Sequence, residues 1–156
     1  MSAAKSVRSL VLVLGDQLDA ESSALDGFDP HRDVIWMAEV AEESEHVWTS
    51  KPRIAVFLAA MRHFRDAQKK LQRRVSYTEI DAPGNTQTLA GELARAVAEL
   101  SPERLIMTEA GEWRVQEAIA AAAVAAAADA PTAAPGPLAS RWGPSHTQPR
   151  RIHRTR

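Results

Sequence analysis

The stretch "SLVLVLGDQLD", residues 9–19, decides the fold. Five apolar residues, Leu10 to Leu14, run without polar alternation into Gly15-Asp16-Gln17. A strand with one wet face alternates polar and apolar. An unbroken apolar run belongs to a strand covered on both faces, as in a parallel sheet. The glycine ends the strand and leaves an acid and an amide just past it. Open parallel sheets hold ligands there, beyond the carboxyl ends of the strands and near the switch in strand order.

Working outward, "DVIWMAEV" (33–40) reads as a second buried strand and residues 51–72 as a helix. Pro52 suits the first helical turn, and Ile54, Phe57, Leu58, Met61, Phe64 and Leu71 share one face. "RVSYTEI" (74–80) reads as a third strand, "DAPGN" (81–85) as a turn, and residues 86–100 as a second helix carrying Leu89, Leu93, Val97 and Leu100. Ser101-Pro102 stops that helix, "RLIMTE" (104–109) reads as a fourth strand, and a third helix starts at Glu112. The order βαβαβα predicts an α/β fold, a doubly wound and mostly parallel Rossmann-like sheet with right-handed crossovers. Four strands are legible. The fifth that such a sheet commonly adds is not. Residues 15–32 show only a weak helical signal around Ser22–Leu25, and residues 41–49 are short and acidic.

The 156 residues suffice for one domain with a real core, and 45% apolar with 25% charged residues is ordinary for a globular chain. With no cysteine, disulfides, thiolate zinc sites and Cys-ligated clusters are excluded on this chain. Neither a signal peptide nor a membrane-spanning run is legible, so the expected location is the cytoplasm. The net charge of −1 divides into −6 over residues 1–130 and +5 over residues 131–156. Residues 1–118 therefore read as the folded domain. Residues 119–156, alanine-rich and then rich in proline and arginine, read as a disordered low-complexity tail.

Three polar clusters fall at strand ends: Gly15-Asp16-Gln17, then Glu39 with Glu42, Glu43 and His46, then Glu109 with Gly111-Glu112-Trp113-Arg114. Each has a purely structural alternative. Asp16 can cap a turn, "EESEH" (42–46) can be a solvated acidic turn, Trp113 can be core, and Arg114 can pair with Glu109 or Glu112. His63 suits a helix surface better than a ligand role. The dinucleotide fingerprint, the phosphate loop and the G-x-S-x-G elbow are absent, and no metal spacing is present. Acids, an amide and aromatics, with no Lys or Arg beside Gly15, suit a neutral, hydrogen-bonding heterocycle better than a phosphate. Phe57 and its apolar neighbours could wall the flat face of such a ligand.

Six stretches together, "LVLVLGDQLD", "SSALDGFD", "DVIWMAEVAEE", "KPRIAVFLAAMRHF", "RVSYTEID" and "TEAGEWRV", closely resemble the N-terminal domain of photolyase-related proteins. The branch is that of prokaryotic cryptochromes and (6-4) photolyases with an iron–sulfur cluster, and the resemblance covers roughly residues 7–118. It implies an α/β antenna domain that precedes a larger helical domain binding FAD, a 4Fe-4S cluster and damaged DNA. It also implies 6,7-dimethyl-8-ribityllumazine as the antenna ligand. By motif, Gly15, Asp16 and Gln17 match the loop that holds it, Glu43 an acid near its ring, and Glu112 the turn at the same sheet end. His46 stands where the family usually has tyrosine, and Phe57 where a smaller aliphatic residue is common. Thr49-Ser50-Lys51 replaces a common "HHK", and Ala110 a common proline.

FAD, the cluster and damaged DNA are expected only on full-length relatives, so the chain alone is expected to be inactive in repair. The Ala- and Arg-rich end reads as a truncated or frameshifted product, with a genuine linker and basic tail as the alternative. From another class comes a stand-alone module contacting nucleic acid through the five arginines of residues 131–156. A small enzyme using Asp16 and Glu43 as an acid/base pair is a third reading. No membrane partner is expected, and the residues leave the oligomeric state open.

Overall fold

The computed structural model describes residues 7–42 and 50–128. Four strands, β1 (Ser9–Leu12), β2 (Asp33–Ala38), β3 (Val75–Thr78) and β4 (Arg104–Met107), form one sheet in the order β3-β2-β1-β4. Every pairing is parallel, with Leu10 opposite both Val34 and Leu105. Three helices connect or follow the strands: α1 (Lys51–Lys70), α2 (Leu89–Leu100) and α3 (Trp113–Ala128). A single 3-10 turn, Ser23–Leu25, sits in the segment read as weakly helical. The α/β, doubly wound, all-parallel reading is the observed fold. Each strand is one to three residues shorter than the stretch read as a strand.

The unbroken apolar runs are explained by a core on each face of the sheet. Leu10, Leu12, Leu14, Val34, Trp36 and Ala38 point to one face and meet Leu89, Leu93 and Ala96 of α2 and Ile119 of α3. Val11, Val13, Ile35 and Met37 point to the other and meet Met61 and Phe64 of α1 with Ala24 and Leu25. Successive side chains of a strand alternate between faces, so both sets must be apolar. Trp36 and Leu93, 1% and 0% exposed, are the largest of these contacts on the α2 side.

The helices end where local chemistry says they must. Thr88 caps α2 by accepting from the Gly91 N–H, and Ser101 closes it in a left-handed turn ahead of Pro102. Helix α3 continues without a break past position 118, through alanine, to Ala128. The boundary drawn there falls inside a helix. Small methyls suffice because Ile119, fully buried, supplies the bulk against α2 while Ala122 packs beside it. Residues 129–156 lie outside the described residues, as do Glu43 and His46.

At the amino end of the sheet, Arg8 forks onto the Asp33 carboxylate, with Nε to Oδ1 at 2.8 Å and Nη2 on Oδ2, and Asp29 N–H donates to the same group at 2.8 Å. Burial would push the Asp33 carboxyl up. The Arg8 guanidinium, the Asp29 N–H and the Ser9 hydroxyl outweigh it and hold the carboxyl at about 2. Because the folded value lies below the unfolded one, the stabilisation is complete above about pH 4 and is lost as the pH falls toward 2. Asp33→Asn should cost about 2 kcal/mol at pH 7. In urea unfolding, the gap between wild type and variant should close between about pH 4 and pH 2.

Candidate functional site

Strand order reverses between β1 and β4: from β1 the chain moves to β2 on one side and later returns to add β4 on the other. The crevice beyond these two carboxyl ends is where an open α/β sheet takes ligands. Leu14 O accepts from Gln17 N–H at 2.9 Å, which folds Gly15-Asp16-Gln17 into a tight turn above β1. From that turn Gln17 Nε2 donates to Glu109 O at 3.0 Å, tying the loop after β1 to the loop after β4. Ser22 Oγ and Thr108 Oγ1, 3.0 Å apart, make a second tie. Asp16, exposed, lies over Gly111: a Cβ built on that glycine would sit 3.6 Å from Asp16 Oδ2.

Two features of this crevice bear on a ligand. Among the described residues, Gln17 Oε1 is buried and has no hydrogen-bond partner, so half of the carboxamide is satisfied by Glu109 and half is left over. An unpaired buried acceptor is costly and is commonly resolved by a bound group with an N–H or O–H. On the apolar side, the tip of the Phe57 ring is pressed against Gly15. A Cβ on Gly15 would meet Cζ at 2.1 Å and Cε1 at 2.8 Å. Gly15 is required here for close approach of this ring.

The structure brings Gly15, Asp16, Gln17 and Phe57 together with the backbone of Glu109 and Gly111. Glu112 lies on the same turn, exposed, with its carboxylate 3.5 Å from Arg114 Nη2. Trp113, one of whose readings was core, is 72% exposed. His63 is on the surface, as its neighbours suggested. Among the described residues no group of three or more His, Cys, Asp or Glu could hold a metal ion, and no helix is long and apolar enough to cross a membrane.

The cluster after β2 does not join this crevice through Glu39. That residue is fully buried and its carboxylate is saturated: Arg62 Nε donates at 2.7 Å and Nη2 at 2.8 Å, Ile80 N–H at 2.9 Å, and the Tyr77 hydroxyl to Oε1. Burial alone would raise the Glu39 carboxyl; these donors hold it below the usual carboxylate range. Tyr77 is correspondingly pushed up by burial and by its bond to Glu39. Glu42 accepts from Leu89 N–H at 3.1 Å at the start of α2. Asn85 donates to both Glu39 O and Glu79 O, and Gln87 bridges Ile80 O and Ala41 N–H. The β2–β3 end is thus closed by its own polar groups. The signal for Glu39 was present in "WMAEV": an acid inside an apolar strand needs partners.

An open groove of about 490 Å3 lies at the outer edge near β3, lined by Arg65, Lys69, Tyr77, Glu79, Asp81 and neighbours. Arg65 pairs with Asp66 and Glu79 and stacks on Tyr77.

The fold is a Rossmann-like α/β module, and the crevice lies at its β1/β4 switch point. Comparison with known proteins places the chain. The family model for deoxyribodipyrimidine photo-lyase-related proteins matches residues 11–134, and the chain belongs to that family. A (6-4) photolyase of Agrobacterium fabrum (strain C58 / ATCC 33970) is 45% identical to it over 107 residues, 69% of this chain. That stretch is 21% of the relative, so the chain spans about a fifth of the relative's length.

Glu39→Ala should cost about 3–5 kcal/mol, because Arg62 and Tyr77 lose their acceptor at the same point. Denaturant unfolding checks the cost. A loss below about 1 kcal/mol would show that the carboxylate is not the anchor of this end of the sheet.

Proposed function

We propose that the chain is the ligand-holding α/β module of a photolyase-related protein, with an antenna chromophore as the ligand. The observation that carries this reading is the half-satisfied Gln17 carboxamide at the switch point, with Oε1 buried and unpaired between two loops. The donor set fits a neutral heterocycle with N–H and hydroxyl groups, of which 6,7-dimethyl-8-ribityllumazine is the type. Gln17 Oε1 would accept from it, and Asp16 and Glu112 would accept from ribityl hydroxyls. A phosphate-bearing ligand fits less well, since residues 9–31 contain no Lys or Arg, Asp16 and Glu112 are acidic, and Arg114 is paired with Glu112.

When bound, such a chromophore would absorb near-ultraviolet or blue light and pass the excitation to a flavin. The chain's own contribution is to bind, orient and shield it. Lesion repair is expected to need the larger part that relatives carry. With no cysteine, this chain cannot ligate an iron–sulfur cluster through thiolates.

Titration of the purified chain with 6,7-dimethyl-8-ribityllumazine, followed by absorbance and fluorescence, should give saturable binding. Gln17→Leu should weaken it about tenfold, for the loss of about 1–1.5 kcal/mol of hydrogen bonding. Binding that is unaffected by Gln17→Leu would move the ligand away from this crevice. The same preparation should show no light-dependent repair of a (6-4) lesion above a flavin-only control.

A further inference from the structure

We propose that Phe57 is a built-in stand-in for the ligand's ring: it holds the apolar seat over Gly15, and a flat heterocycle enters only by displacing it. This rests on the ligand-holding reading above and adds what controls that site. Three ring atoms, Cζ, Cε1 and Cε2, lie 2.1, 2.8 and 3.0 Å from where a Gly15 side chain would begin. The contact is tip-first onto backbone, at the centre of the turn that also carries Asp16 and Gln17. The polar edge of the crevice, with its unpaired Gln17 Oε1, and the occupied apolar seat therefore lie on one three-residue turn.

The neighbouring structure lets the ring leave. From Lys51 to Ala60 only Ile54, Phe57 and Leu58 are half-buried; the rest is exposed, and full burial of α1 starts at Met61. Phe57 packs against the core on this face but stands ahead of the fully buried part of the helix. Rotating it away exposes one ring and uncovers the face of Gly15. The energy needed to do so is subtracted from the affinity of any ligand that takes its place.

Two measurements on the purified chain test this. In the first, 6,7-dimethyl-8-ribityllumazine is titrated into wild type, Phe57→Ala and the milder Phe57→Val. Both variants should bind at least about tenfold more tightly than wild type. In the second, Gly15→Ala is made in the wild-type and Phe57→Ala backgrounds. It should lower Tm by about 5 °C in the first and leave the second almost unchanged, because the clash partner is gone. Equal lumazine affinity in wild type and both variants overturns the stand-in role while leaving the ligand-holding reading intact. Weaker binding by the variants overturns it in the other direction, making Phe57 a wall of the site. If no chain binds lumazine but the Gly15–Phe57 coupling is found, the ligand-holding reading fails and Phe57 is a packing residue only. A Gly15→Ala penalty of the same size in both backgrounds shows that the ring does not occupy that face.

Discussion

The buried Glu39 carboxylate holds helix α1 to the β2–β3 half of the sheet's carboxyl edge. It sits at the end of β2 with no access to water and receives donors from α1, from β3 and from the backbone just beyond β3. Burying a charge is tolerable only when its acceptor sites are filled, and here they are. The arrangement fixes the angle at which α1 crosses the sheet, since Arg62 reaches Glu39 from the middle of that helix. What happens further along α1 toward its start, including where Phe57 points, follows from that anchor.

The two halves of the carboxyl edge then divide their work. Beyond β2 and β3 the polar groups of Glu39, Asn85 and Gln87 satisfy one another and the adjoining backbone. Beyond β1 and β4, among the described residues, two side-chain ties cross between loops, and one of them leaves a carboxamide oxygen without a partner. A rigid, satisfied flank next to a flank with an unmet hydrogen bond is the arrangement expected of a binding site supported by its own scaffold.

Much of this was legible in the amino-acid order. Unbroken apolar runs identified the strands and their two-sided burial, and the position of Gly15-Asp16-Gln17 at the end of β1 identified the switch-point loop. Strand ends were not legible, because Val13, Leu14 and Val40 are as buried as the strands they follow; apolar character outlasts the ladder. The role of Glu39 was missed for a related reason. Proximity along the chain grouped it with the acids after it, whereas its partners come from positions 62, 77 and 80. Phe57 was legible as a wall of the site and, through the resemblance, as bulkier than the residue common there; its contact with Gly15 was not, because it joins positions far apart along the chain. The alanine run after Ala118 misled on composition: a helix needs only one large residue per few turns when its neighbour, α2, supplies the rest.

The contact between Gly15 and Phe57 also constrains how this sequence can drift. A Cβ at position 15 meets the ring where it lies, so it enters only with a smaller residue at position 57 or with the ring turned away. The easier order of substitution is ring first and glycine second, although 42 positions separate them. On that path the intermediate carries a small residue at the helix position with the loop glycine retained.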